Sequence, residues 1–243
     1  MAGGGFILTA AELSVCAALM GADEIYGIGW PIKVTDEKAL WTSAHETLSR
    51  KQLMYDESGG RVSFDIDFAK CMRIYIAPRI IASIRRVSRG REFLRHYFRG
   101  GNGLALLEQN AANPDEYVLT QYELADWPEI LRADMNFTEI TYKYVPEEIT
   151  LTPDELEDAL NSGQDGGPLP ENLRTALSGA GEARGMAVTE AGAEPGCALL
   201  AYGCGSAAWL LKAGGNGRVK FVAVSQTEYN EALNELLGAI FYV

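Results

Sequence analysis

The chain has 243 residues, 47% of them hydrophobic and 22% charged, with 33 acids against 21 Lys and Arg for a formal net charge of −12. That length suits one or two domains with ample core, and the balance excludes both the disordered and the membrane-embedded classes. So large a negative charge also argues against general nucleic-acid binding, whose affinity comes mostly from neutralised phosphates.

Met1 to Gly5 lack a basic region, and Glu12, Asp23 and Glu24 interrupt the apolar stretch that follows. Neither a signal peptide nor a membrane span is expected there. Thr9-Ala10-Ala11-Glu12 is a capping box, in which hydroxyl and carboxylate each satisfy an orphan amide at a helix start. It predicts a helix over 10–20, with Leu13, Cys16, Ala17 and Met20 at helical spacing and Gly21 as its stop. Trp30-Pro31 is a breaker, and a second helix is predicted over 36–54. A turn then leads into a short strand through Val62 and Phe64, and a third helix spans 67–76, ended by Pro78. Helix, small hairpin and helix in this order resemble a winged-helix-type module.

Strands are predicted at 80–87, 93–98, 104–109 and 117–122, followed by a helix over 126–133. Residues 139–145 alternate Ile140, Tyr142 and Tyr144 against Thr141 and Lys143, the pattern of a half-buried strand. Thr152-Pro153-Asp154-Glu155 is a second capping box, and its helix ends near Asn161. The Gly/Pro-rich run 162–171 and the Gly/Ala/Glu-rich run 178–196 read as loops, with a short strand at 186–189. A meander follows at 197–202, 207–212 and 218–224. Ser225-Gln226-Thr227-Glu228, a third capping box, opens a final helix carrying Tyr229, Leu233, Leu236 and Leu237 on one face.

Gly-Gly-Asn-Gly occurs twice, at 100–103 and at 214–217, each time between two predicted strands. Asn-Gly between hydrophobic runs is a strong hairpin signal, because a type I′ turn needs positive φ at both central residues. The repetition suggests one supersecondary unit used twice. The expected fold is α+β, a pseudo-two-fold pair of helix-plus-antiparallel-meander halves at 1–136 and 137–243, with the winged-helix-like segment in the first. The two halves are expected to form one compact unit.

Reaction chemistry is hard to find. The two histidines, His45 and His96, have no Cys or carboxylate at metal-ligand spacing, and no HExxH, GxSxG or P-loop pattern occurs. Gly203-Cys204-Gly205 imitates a dinucleotide fingerprint but runs from strand to strand, where cofactor binding needs a helix N-terminus. Cys16, Cys71, Cys197 and Cys204 lack CxxC spacing and read as free, mostly buried thiols in a cytoplasmic protein. No cofactor and no metal are expected.

Charge is unevenly spread. Arg79, Arg85, Arg86, Arg89, Arg91, Arg95 and Arg99 put seven of the 21 basic residues in one short stretch with a single acid, Glu92. Arg85, Arg86, Arg89, Arg91 and Arg95 are candidates for an anionic-partner patch. The competing expectation is that these arginines pair with the acid-rich 115–171 segment.

The order of parts is suggestive: a leading Leu-Thr-x-x-Glu-Leu helix, the region from Leu53 through Gly60-Arg61-Val62 with a helix after it, a meander ending in a helix, and a second helix-plus-meander closing on a Leu236-Leu237 helix. This layout resembles the EspG-type chaperones of type VII (ESX) secretion systems and uncharacterised Gram-positive proteins of similar length. The resemblance implies a cytosolic, non-catalytic α+β protein that binds a small helical partner, a secretion substrate, through a sheet-proximal loop and the C-terminal helices. By position those are Asn110, Asn113 and Asp115 in the loop and Glu228, Tyr229 and Leu233 on the helix. The alternative is a regulator binding DNA through Arg50 and Lys51 of the second helix, and an enzyme has only diffuse carboxylates in its favour. Oligomeric state is open.

Overall fold

The computed structural model describes residues 4–22, 24–28, 37–88, 90–101, 103–137, 140, 147–161, 169–191, 193 and 195–241. The Trp30-Pro31 breaker, Arg89 and the strand expected at 139–145, apart from Ile140, lie outside them. The fold is α+β, and the chain divides into two compact units. The first comprises 1–82, 95–127 and 190–193, the second 83–94, 128–189 and 194–243.

The first unit opens with β1 (Phe6–Thr9) and α1 (Ala10–Leu19), joined by the capping box read from the sequence: Thr9 N donates to Glu12 Oε2 at 2.7 Å and Glu12 N to Thr9 Oγ1 at 3.2 Å. The second helix, α2 (Glu37–Arg50), is shorter than the predicted 36–54. Gln52 adopts φ 60° and Leu53 N reaches back to Leu48 O at 3.0 Å, so a Schellman-type turn closes the helix without glycine. Leu53 and Met54 extended the apolar periodicity because they are packed inside, Met54 as the start of β2 (Met54–Glu57), which pairs with β3 (Arg61–Phe64).

α3 (Ile66–Ile76) is capped by Asp65, whose Oδ1 accepts from Asp67 N and Phe68 N. Phe68, Cys71, Met72 and Tyr75 share its buried face and meet β1 and β5 through edge-to-face contacts, Phe6–Phe68 at 5.2 Å and Tyr75–Phe98 at 4.9 Å. Beneath lie β4 (Ile80–Ser88), β5 (Arg91–Gly100), β6 (Gly103–Gln109) and β7 (Glu116–Glu123). The strand order in this unit is β1-β7-β6-β5-β4, with residues 80–82 and 95–100 contributed by the last two.

α4 (Trp127–Met135) carries the chain into the second unit, followed by β8 (Glu148–Leu151), α5 (Pro153–Asn161), α6 (Glu171–Leu177), β9 (Glu182–Glu190), β10 (Pro195–Cys204), β11 (Ala207–Gly214), β12 (Arg218–Val224) and α7 (Gln226–Phe241). Its strand order is β5-β4-β9-β10-β11-β12-β8, using residues 83–94 of the first two. Leu169 and Leu173 cover Trp209 and Phe221 on one face of this sheet, while α7 packs on β10, β11 and β12. The sequence did not show β1, β8 or α6. It also mistook most of β9 for loop, because Gly181 and Gly185 look flexible. They are packing devices: a Cβ on Gly181 would lie 2.6 Å from Gly203 O, and one on Gly185 would lie 2.8 Å from the Leu200 side chain.

The two Gly-Gly-Asn-Gly copies make different turns. In the first, Gly100 pairs with Gly103 and Gly101 (φ 53°) lies inside the turn, so Gly103 belongs to the strand pairing and not to the centre of the turn where the sequence put it. In the second, Gly214 pairs with Arg218 across a three-residue loop in which Asn216 (φ 59°) and Gly217 (φ 74°) are left-handed. The motif is repeated and its geometry is not.

Candidate functional site

The β6–β7 loop holds Asn110, Asn113 and Asp115 in a self-closed arrangement. Asn110 N donates to Glu116 O at 2.8 Å and its Nδ2 to Glu116 Oε2 at 2.9 Å, while its Oδ1 accepts from Ala112 N at 3.0 Å. Asn113 Oδ1 accepts from Asp115 N at 3.2 Å. These two Asx turns commit both asparagine side chains to the backbone, and the loop presents Ala111, Ala112, Pro114 and Asp115 to solvent instead.

On α7 the three candidates have different fates. Glu228 closes the capping box: Ser225 N donates to its carboxylate at 2.8 Å and Glu228 N donates to Ser225 Oγ at 3.2 Å. Tyr229 and Leu233 are buried against their own unit, so their assignment as partner anchors is corrected. The Tyr229 hydroxyl donates to Met135 O at 2.5 Å, and its ring lies 5.3 Å from that of Phe137. Both residues sit on the apolar stripe that an amphipathic helix turns to its sheet. The face left to solvent is polar, with Asn230, Glu231, Asn234 and Glu235.

The arginine-rich stretch is largely paired. Arg85 makes a two-pronged contact with Glu92 (2.7 and 2.9 Å), Arg86 reaches Asp134 at 3.2 Å, and Arg95 holds Glu108 at 2.8 Å. The Arg99 guanidinium lies 5.9 Å from the Trp127 ring centroid. Of these acids Asp134 comes from the 115–171 segment, while Glu92 and Glu108 lie outside it. Arg91 is exposed. The hydrogen bonds that Arg85 and Glu92 share lower the Glu92 carboxyl pKa, through Arg85, and raise that of Arg85, through Glu92.

Sequence reasoning missed Arg184 altogether. It is 1% exposed on β9, bonded to Glu182, to Asn136 O at 3.2 Å and to Val87 O at 3.3 Å, with Phe137 stacked 5.3 Å from its guanidinium carbon. Burial pulls its pKa down and the Glu182 charge opposes that. The only sequence signal was a Glu-x-Arg alternation inside a run that reads as loop.

Of the two cations assigned to the DNA-binding alternative, Lys51 is committed inside the first unit, donating to Glu12 Oε2 at 2.8 Å and Ile7 O at 2.9 Å. Arg50 is exposed, and Lys51 keeps 33% of its side chain open to solvent although its ammonium is bound. Burial pushes the Cys16 and Cys71 thiols up to about 12, which makes them poor nucleophiles. Among the described residues no three His, Cys, Asp or Glu gather as a metal-holding group, and no helix is long and apolar enough to cross a membrane.

Exposed large apolar side chains of the second unit include Phe93 (47% exposed) and Leu94 (45%) on β5 and Leu200 (41%) on β10. Phe93 and Leu94 follow the β4–β5 turn, just before the register in which β5 pairs with β6 begins at Arg95.

No protein-family model matches this chain, and no curated protein does. Among solved structures the chain is similar to the Mycobacterium tuberculosis type VII secretion system chaperone EspG5, whose structure was determined in complex with the PE25-PPE41 dimer. The likeness covers 96% of this chain and 95% of that one, with a TM-score of 0.61 at 11% sequence identity, and it establishes an EspG-like layout at the level of fold.

Proposed function

We propose that this protein is a non-enzymatic cytoplasmic chaperone or adaptor that binds a small helical protein partner, a type VII secretion substrate. The observation that carries the reading is the fold shared with a type VII secretion chaperone along nearly the whole of both chains. Phe93 and Leu94 support it: as neighbours on one strand they offer an exposed aromatic side chain on one face of β5 and an exposed aliphatic one on the other, apolar anchors of the kind a protein partner buries. The β6–β7 loop, with Asp115 outward, and the polar face of α7 at Glu228 are the further surfaces assigned to the partner.

The test is affinity purification of the tagged protein from its native host, with mass spectrometry of what co-purifies. A small, helical, secreted protein recovered at near-stoichiometric yield, and lost from a Phe93→Ser/Leu94→Ser variant that remains folded, is the expected result. Recovery of the bait alone under conditions that preserve known secretion complexes would overturn the reading.

A further inference from the structure

The first unit contains a groove along α3 that none of the surfaces above uses. A cleft of about 530 Å³ lies between Asp65, Asp67 and Lys70 at the start of the helix, Gly4 ahead of β1, and Gln121 and Glu123 of β7. A second cleft, of about 350 Å³, continues from Lys70 and Gln121 past Arg73 to the Gly100–Gly103 turn. The shared residues make the two one groove running beside the helix from Asp67 to Ala77, about 15 Å at 1.5 Å per residue.

Charge changes sign along it. Asp65, Asp67 and Glu123 line one end, Arg73 lines the other, and Lys70 stands between them and lines both clefts. Acids at a helix start and bases towards its end also complement the helix dipole, which is sufficient reason for Asp67 and Arg73. It does not account for Glu123, which comes from β7 and adds to the acidic end from across the groove. At each end a glycine leaves a stretch of open backbone in the wall: neither Gly4 nor Gly101 has a heavy atom within 4 Å of where a Cβ would stand. The one internal ion pair, Lys70 Nζ to Asp67 Oδ1 at 2.9 Å, is exposed on both sides (56% and 79%) and offers little resistance to exchange for a ligand charge.

We infer that this groove binds an extended peptide segment of about five residues, at roughly 3.3 Å each, with a basic side chain at the Asp65–Glu123 end and an acidic one at the Lys70–Arg73 end. A groove of mixed sign disfavours a polyanion, and the open glycine backbone suits a strand-like ligand that hydrogen-bonds through its main chain. The inference is independent of the chaperone reading and stands whether or not a secretion substrate is the partner.

The probes are three blocked six-residue peptides that share a Ser/Val interior and carry Lys/Glu, Lys/Lys or Glu/Glu at their two ends. They are titrated into the full chain labelled with ¹⁵N, at low salt. The Lys/Glu peptide is expected to bind about tenfold tighter than either homopolar one, with amide shifts centred on Gly4, Gly101, Gly103 and Gln121. Arg73→Glu, an exposed change, is expected to move the preference to the Lys/Lys peptide, and Glu123→Gln to weaken Lys/Glu binding severalfold. Equal affinity for all three peptides, shifts centred elsewhere, or no saturable binding up to about 5 mM would each overturn the inference.

Discussion

Lys51 Nζ lies 2.8 Å from Glu12 Oε2 and 2.9 Å from the Ile7 carbonyl, so one ammonium joins the end of α2 to the start of α1 and to the outer edge of β1. Glu12 is 1% exposed and already accepts the Thr9 amide, and its other oxygen is buried without a partner among the described residues. Lys51 is therefore the counter-ion that makes burial of the capping carboxylate tolerable. Its place against a strand carbonyl also blunts β1, the edge strand of its unit, against pairing with another chain.

Lys51→Met should destabilise the protein by about 3 kcal/mol, because it leaves a buried carboxylate unpaired. Glu12→Gln/Lys51→Met should recover part of that loss. Urea unfolding of wild type, both single variants and the double variant measures the coupling, and purely additive effects would contradict the pairing.

Tyr229→Phe removes the hydroxyl that donates to Met135 O while keeping the ring on Phe137. A loss of about 1–2 kcal/mol is expected for the buried carbonyl left unsatisfied. Partner affinity should be unchanged, since Tyr229 is buried. Thermal unfolding and a binding assay on the same sample separate the two effects.

His96 has its pKa lowered by burial. The folded state therefore binds this proton less readily than the unfolded chain does, and stability must fall as pH drops below the unfolded value of about 6.5. The loss grows until pH passes the lower folded pKa and then levels off. Replacing His96 with Gln should flatten the decline between about pH 7.5 and pH 5.5. Glu92 and Glu155 also have lowered carboxyl pKa values, but they lose their contribution only at more acidic pH. Chemical denaturation midpoints across that range give the result, and an identical slope in both proteins would exclude His96 as the source.

Glycines of the two Gly-Gly-Asn-Gly copies should respond differently to alanine according to what packs against them. A Cβ on Gly100 would stand 3.1 Å from Ala77 O and 3.4 Å from Ile74 Cα, both main-chain atoms at the end of α3, so Gly100→Ala forces that helix end to give, at a cost of about 1–3 kcal/mol. Gly215 has open space around it and no positive φ, so Gly215→Ala should be within about 0.5 kcal/mol of wild type. Calorimetric melting of both variants decides it; equal losses would mean that turn chemistry, rather than the approach of α3, sets the requirement.

Local chemistry was legible in the residues themselves. The capping boxes at Thr9, Thr152 and Ser225 each form as written, because their partners are three residues apart and need no tertiary context. The apolar stripes of α1, α3 and α7 and the strands of both meanders were readable for the same reason. So was the α+β class, and the resemblance in layout to EspG chaperones holds at the level of fold.

What depended on distant neighbours was not legible. Gly181 and Gly185 look like loop until Gly203 and Leu200 are seen against them. Tyr229 and Leu233 look available until the sheet beneath α7 is in place, and Lys51 looks like a phosphate contact until Glu12 arrives from 39 residues away. By itself the sequence determined the α+β character, most helix starts and the lack of familiar catalytic motifs, all consequences of interactions within a few residues. Only the tertiary structure decided which charges are already paired, which apolar side chains remain at the surface and where a groove of two signs opens, because burial and long-range pairing belong to the packed chain and not to any segment of it.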